Sequence, residues 1–337
     1  MYELEMPLST PYNIIVRNNI EDYLSIEIKK IYKNRKIYII TDERVGALYL
    51  NKIVDLLSDF DVKYIIIEGY EKSKSIETYS HVCKKLIELG AAREEMLIAL
   101  GGGVIGDLVG FVAATLYRGM PFVQIPTSLL AQVDSSIGGK TGIDFAGHKN
   151  ILGAFNQPKL VLIDPKFLQT LPIREMKNGY AEMIKHALIY SPNLFFTLLK
   201  NKYDVTEEII YENLRIKAAH VIGDEFDKGK RMMLNFGHTF GHIIELRTSV
   251  LHGEAVIDGI LCAINFAIDK NILSQDIKDY VIELYEALEL DYHEYDYHDF
   301  LSEVKFDKKN IAEEVSFILI KNIGEALIYP VKVGELA

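Results

Sequence analysis

Two textures divide the chain, and the change between them near residue 172 limits the fold more than any single motif. Before it, short β-branched runs alternate with longer amphipathic segments. The runs "KIYIITDE" (36–43), "VKYIIIEG" (62–69), "EMLIALGGG" (95–103), "PFVQIPTS" (121–128) and "LVLIDP" (160–165) read as strands. The first four hold few internal charges, as strands covered on both faces do. Segments near 45–59, 74–90 and 104–116 carry a helical period, and such alternation predicts a mainly parallel sheet covered by helices. After Pro172, helix follows helix, at about 174–190, 203–223, 237–246, 253–269 and 275–288. The late "VSFILIKNIGEALIYPV" reads as a strand pair turning at Asn322-Ile323-Gly324. The expected organisation is an α/β domain over residues 1–170 and a mostly helical domain over 171–337.

Of the 337 residues 49% are apolar and 25% charged, an ordinary globular balance. A formal net charge of -11 argues against nucleic acid, which calls for a cationic footprint. Any anionic ligand must then be held by a local cluster of Lys and Arg. The two cysteines, Cys83 and Cys262, lie far apart in apolar-periodic segments and read as reduced core thiols, which fits a reducing compartment. "MYELEMPLSTPYNIIV" lacks the basic-then-apolar order of a secretory leader. No stretch approaches the roughly 18 apolar residues of a membrane span. The expected location is cytoplasmic, without a membrane partner.

Three stretches carry chemistry. In "ALGGGVIGDLVGF" the glycines at 101, 102, 103 and 106 follow an expected strand and open an expected helix. They clear side chains from the path of a pyrophosphate, whose charge the helix start would meet with unpaired N–H groups. The order is not G-x-G-x-x-G, and a tight strand-to-helix turn is the ordinary alternative. "EGYEKSK" also follows a strand; its Glu71 and Lys74 suit ribose hydroxyls and phosphate, although a solvated charged loop fits equally. Asp42 ends an earlier strand, where an acidic residue can hold a ribose. "QVDSSIGGKTGIDFAGHKNILGAFNQP" shows little helical or strand period until its end. With Asp134, Lys140, Lys149 and Asn150, it is expected to be a loop shaped around a ligand.

The third stretch, "NFGHTFGHIIE", places His238, His242 and Glu245 on one face if helical. It is not the zinc-protease pattern, because Thr239 stands where that pattern needs Glu. "GYAEMIKHALI" adds Glu182 and Lys185 at i and i+3, with His186 alongside, and "LHGEAVIDG" adds His252 near a helix start. Singly, these read as a surface ion pair and a helix-end hydrogen bonder. Together, two His and one Glu match the donor set of an open catalytic zinc site, while a closed structural site would want a fourth ligand, usually thiolate. Which histidines take part stays open at this point. Lys217, Arg231 and Asn235 lie just upstream of His238. The inventory predicts an NAD-type cofactor and a divalent metal acting on a polyhydroxylated anion.

The motifs "GGGVIGDLVGF", "RGMPFVQIPTSLLAQVDSSIGGKTGID", "KNILGAF", "AEMIKHALI", "LNFGHTFGHIIE" and "LHGEAV" closely resemble those of the 3-dehydroquinate synthase family, over residues 36 to 330. The resemblance implies a Rossmann-like N-terminal domain, a mostly helical metal-binding domain and a homodimer. It implies conversion of 3-deoxy-D-arabino-heptulosonate 7-phosphate to 3-dehydroquinate and phosphate. The implied steps are transient oxidation by NAD, phosphate elimination, re-reduction, ring opening and intramolecular aldol closure. Glu182, His238 and His252 would hold one divalent metal, Zn or Co. Asn235 and His242 would contact substrate or its bound water, with His242 moving protons. Lys140, Lys149, Asn150, Lys185, Lys217 and Arg231 would surround carboxylate and phosphate, Asp134 a hydroxyl, and Arg118 the phosphate site of the partner subunit. Lys308, or its neighbour Lys309, would close over the substrate. The NAD site would comprise Asp42, Glu71, Lys74, Gly102, Gly103, Val104, Ile105, Gly106, Asp107, Thr127, Ser128, Lys140, Lys149, Phe167, Leu168, Gln169 and Thr170. Two positions depart from the family pattern: Ser128 replaces the second of two threonines and keeps a hydroxyl, and His148 stands where small residues are commoner. Another sugar-phosphate cyclase, an iron-type alcohol or glycerol dehydrogenase, and a non-catalytic binding protein are the competing readings.

Overall fold

A computed structural model describes residues 1–308 and 314–335. The chain divides into two compact units, Met1–Pro172 with Thr206–Tyr211, and Ile173–Val205 with Glu212–Ala337.

In the first unit the strands are β1 (Tyr2–Met6), β2 (Tyr12–Val16), β3 (Lys36–Asp42), β4 (Asp61–Ile67), β5 (Met96–Gly101), β6 (Phe122–Pro126), β7 (Lys140–Phe145), β8 (His148–Phe155) and β9 (Leu160–Ile163). Seven share a sheet in the order β1-β2-β9-β6-β5-β3-β4, and β7 and β8 pair separately. All neighbours in the sheet run parallel except β1 and β2. The apolar runs follow from burial on two faces. On β3, Ile37 and Ile39 enter one core with Ile98 and Leu162, and Tyr38 and Ile40 enter another with Val82 and Val109. Alternate residues thus serve opposite layers, so charge is confined to the strand's two ends, Lys36 and Asp42. The helices Ile76–Glu88 and Gly103–Thr115 lie close to the expected spans.

Three expectations for this unit need correction. The N-terminal segment, read only for a leader, forms β1 and β2, and β2 joins the parallel sheet beside β9. β4 is not covered on both sides: it is the outer strand, with Tyr64 and Ile66 exposed. An apolar run does not tell a central strand from an edge. The stretch 140–155 is an antiparallel hairpin rather than a loop. Its turn residues Ala146 and Gly147 both have positive φ (51° and 80°), the two-residue hairpin geometry. Strand periodicity is hidden because Gly142 faces Gly153, where a Cβ on Gly153 would come within 2.5 Å of the Thr141 carbonyl.

The second unit holds the helices Ile173–Tyr190, Pro192–Asn201, His238–Thr248, His252–Asp269, Gln275–Ala287 and His298–Lys308. The helix Glu207–Val221 starts among the residues grouped with the first unit. β10 (Glu314–Asn322) and β11 (Glu325–Lys332) form the expected strand pair. Its turn is fastened by Gly324, whose N–H donates to the Leu188 carbonyl at 2.8 Å. Helix Pro192–Asn201 was not expected, although its start is marked: Ser191 accepts from the Leu194 N–H, and Pro192 occupies the first turn. Both cysteines are free thiols, Cys262 buried and Cys83 half-buried. Among the described residues no helix is long and apolar enough to cross a membrane.

Candidate active site

In the second unit three chain segments converge on one carboxylate. His238 Nε2 lies 3.5 Å, and His252 Nε2 3.3 Å, from Glu182 Oε1. These are long for hydrogen bonds. They match the edges of a tetrahedron, which bonds of about 2.0–2.2 Å to a central zinc would set at roughly 3.3–3.6 Å. One donor atom from each of the three side chains lies within 4.8 Å of the others. The donor set therefore fits a divalent cation.

Glycine and helix spacing create this convergence. The helices His238–Thr248 and His252–Asp269 cross at small residues, where a Cβ on Gly259 would stand 2.2 Å from the Gly237 carbonyl and 2.9 Å from Gly241 Cα. Helix Ile173–Tyr190 then fixes the start of the helix that begins at His252. Along one of its faces, at i, i+4 and i+8, Arg174 pairs with Glu254, Asn178 Oδ1 accepts from the Gly253 N–H at 2.6 Å, and Glu182 meets His252. Glu254 also accepts from the Leu251 N–H, closing the cap. Arg174, Asn178 and Glu254 were absent from the sequence reading. Their one-turn spacing from Glu182, and a Glu two residues past His252, are the signals that could have found them.

The site's electrostatics are set by burial and these partners. Burial, with Lys185 nearby, pushes the His238 ring down to about 3, so it stays neutral. Burial also opposes charge on His252, but Glu182 and Glu245 outweigh it and raise this ring to about 9. Lys185, on the helix with Glu182, forms a buried ion pair with it. His242 does not join the donor group. It is exposed, with its ring centroid 5.3 Å from that of His238 and 6.2 Å from that of His252. His186 sits buried against Asn213, 3.3 Å from Nδ1 to Oδ1.

Two more cations of this unit are buried, Lys217 and Arg231. Arg231 is fixed at both ends: its backbone N–H donates to Asp224 Oδ2 at 2.9 Å and its Nη1 to the Glu225 carbonyl at 2.6 Å. Asp224, also missed in the sequence, accepts in addition from the Lys228 and Gly229 N–H groups and shapes the turn. These N–H groups hold its carboxyl below the usual range. Asn235 ends the short helix Lys230–Asn235 and is exposed. The side chain of Lys308 and all of Lys309 lie outside the described residues.

In the first unit the glycine loop joins β5 to helix Gly103–Thr115, which Gly102 caps without a side chain. A Cβ on Gly102 would come within 3.1 Å of Ser128 Oγ, and one on Gly103 within 3.0 Å of Ser135 Oγ. Val104, Ile105 and Gly106 form the first turn, and Gly106 lets it approach Gln124 of β6. Thr127 donates its N–H to the Gly101 carbonyl at 3.0 Å. Lys74 is buried; its Nζ donates to Asp107 Oδ2 at 2.8 Å, also pairs with Asn150 Oδ1, and lies 3.7 Å from Glu71. Since the Asp144 N–H donates to the Lys74 carbonyl and the Asn150 N–H to Asp144 Oδ1, the hairpin is bound to the end of helix Gly103–Thr115 that carries the glycines.

Asp42 Oδ1 accepts from the N–H groups of Arg44 and Val45, at 2.9 and 3.0 Å. In the turn Pro165–Thr170, Phe167 and Leu168 are buried, Gln169 and Thr170 are exposed, and Phe167 packs edge-on against Tyr49. Asp134 lies on the wide turn Ala131–Ser135, while Lys140 and Lys149 are exposed on the hairpin. His148 opens β8 opposite Phe145. Tyr117 and Arg118 both have positive φ, 53° and 62°, before Gly119. That costs roughly 1–2 kcal/mol per non-glycine residue, and Arg118 is exposed.

Comparison with known proteins places these elements in one group. Residues 64–178 match the model of the 3-dehydroquinate synthase N-terminal domain, and residues 179–310 that of the C-terminal domain. The 3-dehydroquinate synthase of Clostridium beijerinckii is 42% identical over 329 residues, 94% of each chain. Among solved structures, the 2-epi-5-epi-valiolone synthase ValA of Streptomyces hygroscopicus, with NAD+ and Zn2+ bound, is 27% identical with a TM-score of 0.87, covering 96% of this chain and 94% of its own. A 2-deoxy-scyllo-inosose synthase, holding carbaglucose-6-phosphate, NAD+ and Co2+, shares the fold with a TM-score of 0.87 at 22% identity, covering 99% and 98%.

Proposed function

The chain belongs to the 3-dehydroquinate synthase family, and on that premise we propose that it converts 3-deoxy-D-arabino-heptulosonate 7-phosphate to 3-dehydroquinate and phosphate. The observation that carries the reading is the pair of Nε2···Oε1 separations around Glu182, which suit a cation held by Glu182, His238 and His252. Glu182, His238 and His252 would hold the divalent metal, which would supply Lewis acidity toward a substrate hydroxyl, and the glycine loop would hold NAD, which would supply a reversible hydride acceptor.

The chain's own residues supply position and charge. Gly102 to Asp107 take the NAD pyrophosphate, where missing side chains admit it and the helix start attracts it. Asp42 and Glu71 take ribose hydroxyls; Lys74, Thr127, Ser128 and Phe167 to Thr170 complete the cofactor contacts. Lys140, Lys149, Asn150, Lys185, Lys217 and Arg231 bind the substrate's carboxylate and phosphate, and Asp134 a hydroxyl. Arg231 is already oriented before an anion arrives, so its charge acts with little reorganisation. Asn235 orients substrate or water, and His242, beside the donor group yet exposed, moves protons during ring opening and closure. The working form is a cytoplasmic homodimer in which Arg118 reaches the phosphate of the partner subunit's site.

The test is phosphate release from the heptulosonate phosphate by zinc-loaded protein with a trace of NAD, while reduced cofactor is followed by absorbance. Stoichiometric phosphate and dehydroquinate without accumulating NADH, abolished by a chelator, is the expected result. Steady NADH without phosphate would mean a dehydrogenase. Silence here, with phosphate released from another sugar phosphate, would mean a sister cyclase.

A further inference from the structure

The motif that supplies His238 and His242 ends in Glu245, which the proposed reaction does not use. Its carboxylate is buried near the end of helix His238–Thr248, and the next helix begins a short link later with His252. Glu245 Oε2 lies 3.4 Å from His252 Nδ1, while the other nitrogen of that ring, Nε2, lies 3.3 Å from Glu182 Oε1. His238 repeats the arrangement with a different acceptor. Its Nδ1 lies 3.1 Å from the Phe236 carbonyl oxygen and its Nε2 3.5 Å from Glu182 Oε1. With a cation bound and both rings neutral, the acceptor behind Nδ1 would take the proton there and leave the lone pair of Nε2 for the ion. The two acceptors differ in charge: a carbonyl dipole behind His238, a full carboxylate behind His252.

We propose that Glu245 is a positioning residue of the metal centre, accepting the Nδ1 proton of His252, fixing its ring plane and making its Nε2 the more basic of the two imidazole donors. This rests on the reading of Glu182, His238 and His252 as metal ligands. The physical reason is general: a carboxylate behind a ligating imidazole sets the tautomer and raises donor strength, and its loss costs about 10–100-fold in metal affinity. The rings reach Glu182 from two different helices. Each ring opens its helix, and the acceptor behind it differs: the Phe236 carbonyl two residues back for His238, and the carboxylate of Glu245 on the neighbouring helix for His252.

The ordinary alternative is that Glu245 only ties one helix end to the next. The two roles separate by experiment. Zinc affinity is measured by competition with a chromophoric chelator, the cobalt-substituted protein is examined by visible absorption, and the metal-free protein is melted. The proteins are wild type, Glu245→Gln, Glu245→Ala and His238→Ala. Glu245→Gln keeps an acceptor of the same size without charge, so zinc affinity should fall about 10-fold and the cobalt bands should move; Glu245→Ala should lose about 100-fold. Zinc affinity within about 2-fold of wild type and unchanged cobalt bands in both Glu245 variants would overturn the assignment, whatever happens to the melting temperature. In that case a large loss in His238→Ala would leave the ligand reading standing. If wild type fails to bind zinc, or His238→Ala binds as wild type does, the ligand reading falls and Glu245's role with it.

Discussion

Replacing Gly253 by alanine tests whether the metal site is set by backbone contact rather than by its ligands alone. An added Cβ would stand 2.2 Å from the Asn178 carbonyl oxygen, 2.6 Å from Asn178 Oδ1 and 2.8 Å from Asn178 Cα. Since carbon and oxygen approach comfortably only to about 3.3 Å, the start of helix His252–Asp269 must retreat by roughly 1 Å. The same retreat breaks the 2.6 Å bond from the Gly253 N–H to Asn178 Oδ1. Overpacking costs about 1–3 kcal/mol and the lost bond about 1 more, so the metal-free protein should melt on the order of 3–6 °C lower. His252 moves with its neighbour, and zinc bonds tolerate only about 0.2 Å, so zinc affinity should fall on the order of 100-fold. Chelator competition and apo-protein melting are the assays. Gly334→Ala is the control, because its Cβ would meet nothing within 4 Å. A Gly253→Ala protein that binds zinc within about 3-fold of wild type would refute the argument that Asn178 pins the ligand.

Three other outcomes follow from named contacts. Lys185→Met removes the cation paired with buried Glu182 and should destabilise the metal-free protein by about 3 kcal/mol, a loss that zinc should largely restore; melting with and without zinc decides, and a deficit that zinc leaves untouched would count against it. Lys74→Met removes the cation that joins Asp107 to the hairpin, and NAD affinity by fluorescence titration should drop about 10-fold, whereas wild-type affinity would remove Lys74 from the cofactor site. Burial raises the Asp258 carboxyl to about 6, against the partly offsetting His293 N–H and ring. The folded state therefore holds the proton more tightly than the unfolded one, so Asp258 loses stability as pH rises from about 4 to 6. Asp258→Asn should show a urea-midpoint gain that grows across this window to about 1–2 kcal/mol after solvent screening, and a gain that shrinks with pH would reverse the reasoning.

Most of the fold could be read from period and composition because burial leaves a strong mark. β3, β5 and β6 are mostly apolar since alternate side chains serve two cores, β9 is apolar, and the five helices expected in the second half appear within a few residues of their spans, whereas Pro192–Asn201 and His298–Lys308 were not expected. What escaped were elements whose signal is geometric. β1 and β2 are short and mixed in polarity; β1 is an edge strand, and nothing local says that β2 pairs with β9. The β7–β8 hairpin carries glycines where side chains would report a strand, because its two backbones approach too closely for a Cβ.

The donor group shows the same division at finer scale. Helical periodicity in "NFGHTFGHIIE" groups His238 with His242 and Glu245, and by local spacing alone these three are the natural set. Tertiary packing regroups them. The crossing at Gly237, Gly241 and Gly259 brings the start of the next helix alongside, so His252 joins His238 at Glu182, while His242 stays exposed beside them and Glu245 turns to the far side of His252. No single segment encodes that exchange. It follows from two helices meeting where neither has a side chain to hold them apart, and from Asn178 fixing how far the second may advance. The glycines between the histidines are thus as much a part of the metal site's specification as the imidazoles. Read together with the small residue at 259, they were the available sign that the ligand set would be drawn from two helices rather than one.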